Sequence, residues 1–421
     1  MKTKGHSYTS GSAFAPWLIL ASGIIAALHV GKLSPALSSL TDAFQLTAAE
    51  SGWLLSVIQL VGATSSVLLG FVIGQIGPRT SLLTGLLVTA ISSLAGGWAS
   101  SGTQLLILRI LEGLGFVLIV LPGPGLLRQF VHPRKINLWV GYWGGFMGAG
   151  VGMAMLMGPR FIDISGWQNW WIFSGLITIL VMFLAYLVIP AATISAVCLK
   201  SGSYSERIKK DLLCVIQDPR VGLLSGVFSL CAGQWLAVMG FLPSIYEANG
   251  LDSNQISIHT ALIALSSVIG NLLAGRLLHH SASPIFLVRL SYSAMVIASI
   301  VVFSYPAKAS FAIPYASAIV FSFFAGVIPA VVFSIVVNQF GASTKTSTVI
   351  GLVQQTSAFA QLSIPPILGW YISVAGGWSM AWTLLLSLST VGVLLTAKLS
   401  PSVSVHDVSQ HELSSFKRRA D

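Results

Sequence analysis

Long apolar runs dominate this sequence, and they limit the possible folds more than any other feature. Each run is close to or longer than the roughly 20 residues that a helix needs to cross a bilayer. The runs are continuous rather than alternating, which disfavours a transmembrane β-barrel. There are twelve, at 14–38, 49–73, 80–100, 104–127, 137–161, 168–190, 222–246, 256–278, 285–305, 311–338, 347–373 and 379–399. The sequence therefore predicts an all-α membrane protein with twelve transmembrane helices.

The composition excludes most other classes of protein. Of the 421 residues, 54% are hydrophobic and 8% are charged, whereas a soluble domain has about 25% charged residues. The net charge of +10 would indicate nucleic-acid binding in a soluble protein. Here it indicates basic loops on the cytoplasmic side of a membrane. We therefore expect membrane lipids around the chain, and no nucleic-acid partner.

The distribution of basic residues predicts the orientation of the chain. Most lysines and arginines outside the apolar runs fall on the even-numbered connections and the two tails, and the opposite loops contain only Arg160 and Lys308. The positive-inside rule then places both termini in the cytoplasm, and we expect a multi-pass protein of the bacterial inner membrane, present as a monomer. The first run follows Lys2 and Lys4 but is too long for a signal peptide, so we expect an uncleaved span.

The two halves of the chain repeat each other. Four residues recur at an offset of 211 positions: Gly158, Gly166, Trp167 and Trp171 match Gly369, Gly377, Trp378 and Trp382. Parallel repeats of this kind are one plan of membrane transporters. The predicted divisions are an N-terminal tail (1–13), a first six-helix bundle (14–190), a central loop (191–221), a second six-helix bundle (222–399) and a C-terminal tail (400–421).

A glycine-rich, basic loop joins spans two and three. It reads Gly70-Phe-Val-Ile-Gly74-Gln-Ile-Gly77-Pro78-Arg79, and span four contains Arg109-Ile-Leu-Glu112-Gly113-Leu-Gly115. Both segments resemble signatures of the major facilitator superfamily. The resemblance implies a two-bundle secondary transporter that works by alternating access, with gating roles for Gly70, Gly77 and Arg79. Because Gly74 replaces the usual aspartate, we expect Arg79 to bind helix-end carbonyls or lipid headgroups.

A second, less specific resemblance concerns one branch of that superfamily. The segment His29-Val-Gly-Lys32-Leu-Ser-Pro35 and the stretch Leu121-Pro122-Gly-Pro124 are similar to the cyanate/nitroimidazole transporter branch. The glycines of span five only partly match the antiporter signature of drug-efflux members. Their spacing predicts close contact with a neighbouring helix.

Ionisable residues inside the spans are the first candidates for a functional site, because such charges are costly in a bilayer. At about 1.5 Å per residue, Lys32 and Arg109 fall at one depth in the outer half of the membrane. His29 and Glu112 fall one turn deeper. The resemblance implies that spans one and four both face a central cavity. We therefore expect the four residues to form one cluster there.

Two cations against one carboxylate would attract an anion. We assign Lys32 and Arg109 to substrate binding, since a guanidinium grips an oxyanion with two parallel bonds. Glu112 and His29 are the titratable candidates for coupling to an ion gradient, with the proton the expected ion. The alternative is that Glu112 neutralises Lys32 or Arg109 and that the pair holds two helices together.

The second half contains few charges within its spans. Gln234 and Trp235 in span seven are the further candidates for substrate contacts, because the resemblance implies that this span lines the cavity. The other membrane amides, Gln59, Asn271, Gln354 and Gln355, are expected to connect helices. The adjacent His279 and His280 lack a third ligand, so we predict no metal site and no cofactor.

Other functional classes fit the sequence less well. No HExxH, GxSxG or phosphate-binding loop is present, so we do not expect an enzyme. Twelve spans in repeated halves favour transport over a receptor or scaffold. We predict a secondary active transporter of a small anionic solute. The alternative is proton-coupled efflux of drugs or metabolites.

Overall fold

The computed structural model describes residues 14–45, 48–190, 215, 217–304, 311–340, 344–375 and 377–398. The longer helices are α1 (Ala15–Gly31), α2 (Leu37–Phe44), α3 (Ala48–Ile76), α4 (Pro78–Gly96), α5 (Gly102–Val120), α6 (Gly123–Phe130), α7 (Ile136–Gly144), α8 (Phe146–Val188), α9 (Pro219–Ala248), α10 (Ser253–His279), α11 (Pro284–Ser304), α12 (Ala312–Phe340), α13 (Thr344–Ala375) and α14 (Ala381–Ala397). Both predicted tails and nearly all of the predicted central loop lie outside the described residues.

The helices confirm the all-α membrane fold. Within the described ranges, eight helical stretches are long and apolar enough to cross a membrane, and one of them, Ile136–Val188, is 53 residues long. That stretch contains two predicted spans, because the chain bends at Gly166 inside α8. The described helices fit the twelve predicted spans if α5 continues into α6 and α7 into α8.

The bend at Gly166 has a counterpart in the second half. Gly166 has a φ of 83° and Gly377 a φ of 116°, and each residue precedes a tryptophan. Only glycine adopts such backbone angles without strain. Each glycine therefore breaks the chain at an equivalent junction, after spans five and eleven. This local agreement supports the repeat that the 211-residue offset predicts.

Two seams join the first half of the helices to the second. In one, α7 and the start of α8 pack on α10, and in the other α3 packs on α13. The span-five glycines make the first seam close: a Cβ atom on Gly141 would lie 2.7 Å from Cα of Gly275, and one on Gly148 would collide with Ser267. The predicted close contact is therefore present.

Four helices of the first half meet around the predicted charged residues. Helix α1 packs on α8, and α4 packs on both α5 and α8. A Cβ atom on Gly31 would lie 2.8 Å from Cα of Val151, and one on Gly85 would lie 2.8 Å from the carbonyl oxygen of Gly115. Side chains from four helices can therefore reach a common point near the end of α1.

Candidate functional site

The four predicted ionisable residues form one buried cluster. His29 lies in the last turn of α1, and Lys32 caps that helix. Arg109 and Glu112 lie one turn apart on α5. None of the four exposes more than 1% of its surface. The depth arithmetic therefore predicted the meeting of these residues correctly, and the structure adds the contacts between them.

The ammonium group of Lys32 has three hydrogen-bond acceptors around it. Its Nζ atom lies 2.6 Å from Oε1 of Glu112, 2.7 Å from Oγ of Ser93 and 3.0 Å from Nδ1 of His29. The Ser93 hydroxyl donates its own proton to the carbonyl oxygen of Trp171, at 2.8 Å. Ser93 is therefore an acceptor towards Lys32. Three acceptors match the three N–H bonds of a protonated lysine.

The ring of His29 has its tautomer fixed by a threonine. Nε2 of His29 lies 2.8 Å from Oγ1 of Thr178, and that hydroxyl donates to the carbonyl oxygen of Ser174 at 2.7 Å. Because the hydroxyl proton is already used, Nε2 must be the donor to Thr178. Nδ1 then keeps its lone pair for Lys32. The hydrogen-bond pattern is that of a neutral imidazole.

Arg109 is only partly satisfied. Its Nη1 atom donates to Oε2 of Glu112 at 2.7 Å and to the carbonyl oxygen of His29 at 2.6 Å. Its Nε and Nη2 atoms are buried and have no hydrogen-bond partner among the described residues. These two atoms form the edge of a guanidinium that binds a carboxylate through two parallel bonds. This binding edge of Arg109 is thus unoccupied by protein groups.

The cluster carries a surplus positive charge. Both oxygens of Glu112 accept bonds from cations, Oε1 from Lys32 and Oε2 from Arg109. With His29 neutral, two cations face one carboxylate. Burying an unbalanced charge costs several kcal/mol. The arrangement therefore favours an anion close to Arg109.

Two tryptophans that follow the Gly166 bend support Lys32. Its Nζ atom lies 4.7 Å from the ring centroid of Trp171, within the range of a cation–π contact. Trp170 Nε1 donates to the Lys32 carbonyl oxygen at 3.0 Å. In the sequence, Trp171 stands out only as part of the repeat, and Ser93 and Thr178 are not among the predicted site residues. Small hydroxyl residues are common in membrane helices, so the sequence contains no signal for them.

A cavity lies between the two halves and not at the cluster. Its space is about 610 Å³, counting the part open to solvent. No charged side chain lines it in the described part of the chain. The lining is mostly apolar, with aromatic residues Phe146, Phe228, Trp235 and Phe333 and amides Asn271, Gln354 and Gln361. The expectation that Lys32, Arg109 and Glu112 line the cavity is therefore wrong for this conformation, because helix packing encloses all three.

The two span-seven candidates point in different directions. Trp235 lines the cavity and donates from Nε1 to Oγ of Ser322 at 2.9 Å. Gln234 is fully buried, and its Oε1 accepts from Ser389 on α14 at 2.8 Å. Neighbouring residues of a helix point about 100° apart, and here Trp235 faces the cavity whereas Gln234 faces α14. The expected position of Gln234 at the cavity needs correction.

The predicted gating residues lie at the end of the bundle where α1 begins, which we call the inner end. Arg79 donates from Nε to the Ile189 carbonyl oxygen at 2.7 Å and from Nη2 to that of Tyr186 at 2.9 Å. These are helix-end carbonyls, as the absence of an aspartate at Gly74 predicts. Gly77 separates α3 from α4 with a φ of 90°, and Gly70 is a buried residue of α3.

Other polar groups connect the halves at the inner end. Asn137 Oδ1 accepts from Ser334 Oγ at 2.6 Å and from Asn338 Nδ2 at 2.8 Å. Arg128 donates to the carbonyl oxygen of Val337. These bonds join α6 and α7 to α12, so the structure closes the cavity at its inner end. Asn137 gives no signal in the sequence, because asparagines at helix ends are common.

Comparison with known proteins shows which family this fold is similar to. The family model of the Major Facilitator Superfamily matches residues 19–215. The structure of the proton:xylose symporter XylE bound to 6-bromo-6-deoxy-D-glucose superposes with a TM-score of 0.74 at 13% identity, over 96% of this chain and 99% of that one. The chain has the fold of the major facilitator superfamily, and the first half of its sequence matches that family's model. The resemblance that the Gly70–Arg79 and Arg109–Gly115 segments carry is confirmed.

Curated relatives within the superfamily are distant and differ in function. The tetracenomycin C resistance and export protein of Streptomyces glaucescens is 24% identical over 57% of this chain and 44% of its own length. The galactose-proton symporter of Escherichia coli K12 is 26% identical over 32% of this chain and 29% of its own length. The niacin transporter NiaP of Acinetobacter baylyi is 26% identical over 38% of this chain and 36% of its own length. This chain thus matches less than half the length of each relative.

Proposed function

We propose that this chain is a secondary active transporter that moves a small anionic solute by alternating access, coupled to a proton gradient. The transporter has no catalytic role. It sits in the bacterial inner membrane with both termini in the cytoplasm. Its two six-helix halves, 14–190 and 222–399, rock about the cavity between them. The observation that carries the anionic assignment is the unpartnered Nε and Nη2 edge of Arg109.

An unoccupied guanidinium edge is costly to keep. A buried donor without a partner costs about 1–3 kcal/mol, and a charged one costs more. Nη1 is already saturated by Glu112 and His29, which hold the guanidinium plane in place. The remaining edge is therefore rigid and preorganised for an oxyanion that accepts two parallel hydrogen bonds. A purely structural ion pair would not require these two atoms to remain free.

The lining of the cavity indicates the chemistry of the solute beyond its anionic group. Its aromatic and apolar lining favours an apolar body, and its amides offer a few hydrogen bonds. We therefore expect an anion with a small apolar or aromatic group. Because Arg109 is enclosed here, the solute must reach it in another conformation of the transport cycle. The inner-end bonds of Asn137 and Arg128 are among those that must break during that cycle.

The test is uptake into proteoliposomes made from the full chain. Benzenesulfonate is a suitable probe because it stays charged and does not cross lipid as a neutral acid. We expect accumulation when the outside is made acidic, and loss of accumulation in Arg109→Ala. Lys398→Gln, at an exposed position after α14, is the matched control and should behave as the parent. Equal uptake by Arg109→Ala and the parent would contradict the proposal.

Proton-coupled efflux of drugs or metabolites is the second candidate. The absence of charge from the described cavity lining favours it, and a relative is a resistance and export protein. Benzenesulfonamide, an uncharged analogue of the probe, separates the two. Export of the sulfonamide without export or uptake of the sulfonate would favour the efflux function.

A further inference from the structure

We propose that Lys32 is the group that carries the coupling proton, and that one proton binds with each anion. This inference rests on the proposed anion site at Arg109. It assigns coupling to a residue that the sequence assigned to substrate binding, in place of Glu112 and His29.

The charge balance leaves one choice among the titratable groups. Lys32 and Arg109 contribute two positive charges and Glu112 contributes one negative charge, so the cluster has a surplus of one. Protonation of Glu112 or of His29 would increase this surplus. Arginine does not deprotonate in proteins. Only the loss of a proton from Lys32 makes the cluster neutral when no anion is bound.

An anion reverses this preference. With an anion on the Nε and Nη2 edge of Arg109, the cluster is neutral only when Lys32 is protonated. Binding of the anion and of the proton therefore favour each other, and the two leave together. When the anion leaves, the Lys32 ammonium gives its proton to bulk water and becomes a neutral amine. The cycle is a symport with one proton per anion.

The contacts of Lys32 accommodate both states. In the protonated state the ammonium donates to Glu112, Ser93 and His29, as observed. In the neutral state the amine has two donors and one lone pair. Rotation of the Thr178 hydroxyl towards Nε2 lets His29 donate from Nδ1 to that lone pair. His29 and Thr178 thus allow the proton to leave Lys32 without leaving a buried polar group unpaired.

In the part of the chain that the structure describes, no other titratable side chain contacts Lys32. Helix α1 contributes His29, and α5 contributes Glu112 directly and Arg109 through that carboxylate. Helix α4 contributes the Ser93 hydroxyl, and α8 contributes the ring of Trp171. Within the described residues, the charge state of Lys32 is therefore governed by three neighbours and by the bound anion.

Calorimetry of benzenesulfonate binding to the purified full chain tests this inference. Titrations in buffers of different ionisation enthalpy give the number of protons taken up per anion. Measurements from about pH 5.5 to about pH 11.5 bracket the ordinary titrations of histidine and lysine. For the parent we expect uptake to approach one proton per anion as pH rises, with affinity falling about tenfold per pH unit in that range.

Three variants separate Lys32 from its neighbours. Lys32→Arg keeps the positive charge but cannot lose a proton, so it should bind the anion with no proton uptake. Lys32→Gln should bind the anion weakly, also with no uptake, and it serves if the arginine does not fit. Glu112→Gln removes the one negative charge of the cluster, so Arg109 and the anion balance each other while Lys32 stays neutral, and proton uptake should fall. Lys398→Gln is the control and should match the parent.

The outcomes distinguish this inference from the proposed function. If the parent binds the sulfonate without proton uptake, or if Lys32→Gln still takes up a proton when it binds the sulfonate, the coupling inference is wrong and the anion site stands. Retention of uptake in Lys32→Arg, which keeps Glu112 and His29, would assign the proton to one of those two residues instead. If the parent does not bind the sulfonate, the anion proposal fails and the coupling inference fails with it.

Discussion

Lys32 and Glu112 lie 80 positions apart in the chain, and their Nζ and Oε1 atoms are 2.6 Å apart in a fully enclosed site. This pair connects α1 to α5, and Arg109 shares the second oxygen of the same carboxylate. The carboxylate is therefore the centre of the cluster. Each cation depends on it, whereas it can lose one cation and remain paired.

This asymmetry predicts unequal effects on stability. Glu112→Leu leaves the buried Arg109 without a counter-charge, and Lys32 as well whenever it is protonated, so it should lower stability by about 3–5 kcal/mol. Lys32→Met leaves the Arg109–Glu112 pair neutral and should cost clearly less. The midpoint of thermal unfolding in detergent gives the ranking. A Lys32→Met midpoint as low as that of Glu112→Leu would contradict the surplus of positive charge.

The hydrogen bonds of His29 predict its tautomer. Because the Thr178 hydroxyl donates to Ser174, we expect a neutral ring with its proton on Nε2 while Lys32 is protonated, and on Nδ1 once Lys32 is neutral. Nitrogen-15 NMR of histidine-labelled protein distinguishes Nε2–H from Nδ1–H and from the imidazolium. Subtraction of a His29→Asn spectrum identifies the signal. An imidazolium at neutral pH in the protein without anion would contradict the charge balance proposed here.

The inner-end contact of Asn137 predicts an effect on access to the cavity. Cys231 lines the cavity and is 1% exposed. Asn137→Ala removes the acceptor of Ser334 and Asn338 and should favour opening at the inner end. The other two cysteines of the chain are removed by Cys198→Ser and Cys214→Ser, so that only Cys231 can react. A maleimide applied from the inner side should then label Cys231 faster in Asn137→Ala.

An exposed asparagine provides the matched control. Asn249 bonds only within its own turn, to the carbonyl oxygen of Ile245. Asn249→Ala should leave the labelling rate of Cys231 unchanged. Equal rates for Asn137→Ala and the parent would show that the Asn137 contact does not hold the inner end closed.

The glycine seam predicts a large effect from a single methyl group. A Cβ atom on Gly148 would collide with Oγ of Ser267 and lie 2.7 Å from the Ala264 carbonyl oxygen, whereas one on Gly125 meets nothing within 4 Å. Gly148→Ala should lower stability by about 1–3 kcal/mol. Gly125→Ala should be neutral. Comparable unfolding midpoints for the two variants would contradict the packing of α8 on α10.

The sequence predicted the features that depend on composition and helix geometry. Apolar run lengths predicted the helices, and the rise per residue placed Lys32 and Arg109 at one depth. The Gly166 and Gly377 junctions followed from the repeat. These are local properties of single helices, and each helix has a fixed pitch.

Features that depend on helix rotation and tilt were not predictable in the same way. The cavity excludes the charged cluster because α1, α4, α5 and α8 pack closely around it. The assignment of Gln234 failed because one side of α9 faces the cavity and the other faces α14. The acceptor role of Ser93 depends on a carbonyl 78 residues away. Sequence spacing contains none of this information.

The most direct test of the anion site is calorimetric binding of benzenesulfonate to the parent, Arg109→Lys and Arg109→Ala. The account predicts binding to the parent, weak binding to Arg109→Lys because an ammonium lacks the planar pair of donors, and none to Arg109→Ala. Benzenesulfonamide should bind none of the three through this site. Binding of the sulfonate to Arg109→Ala with the affinity of the parent would contradict the account.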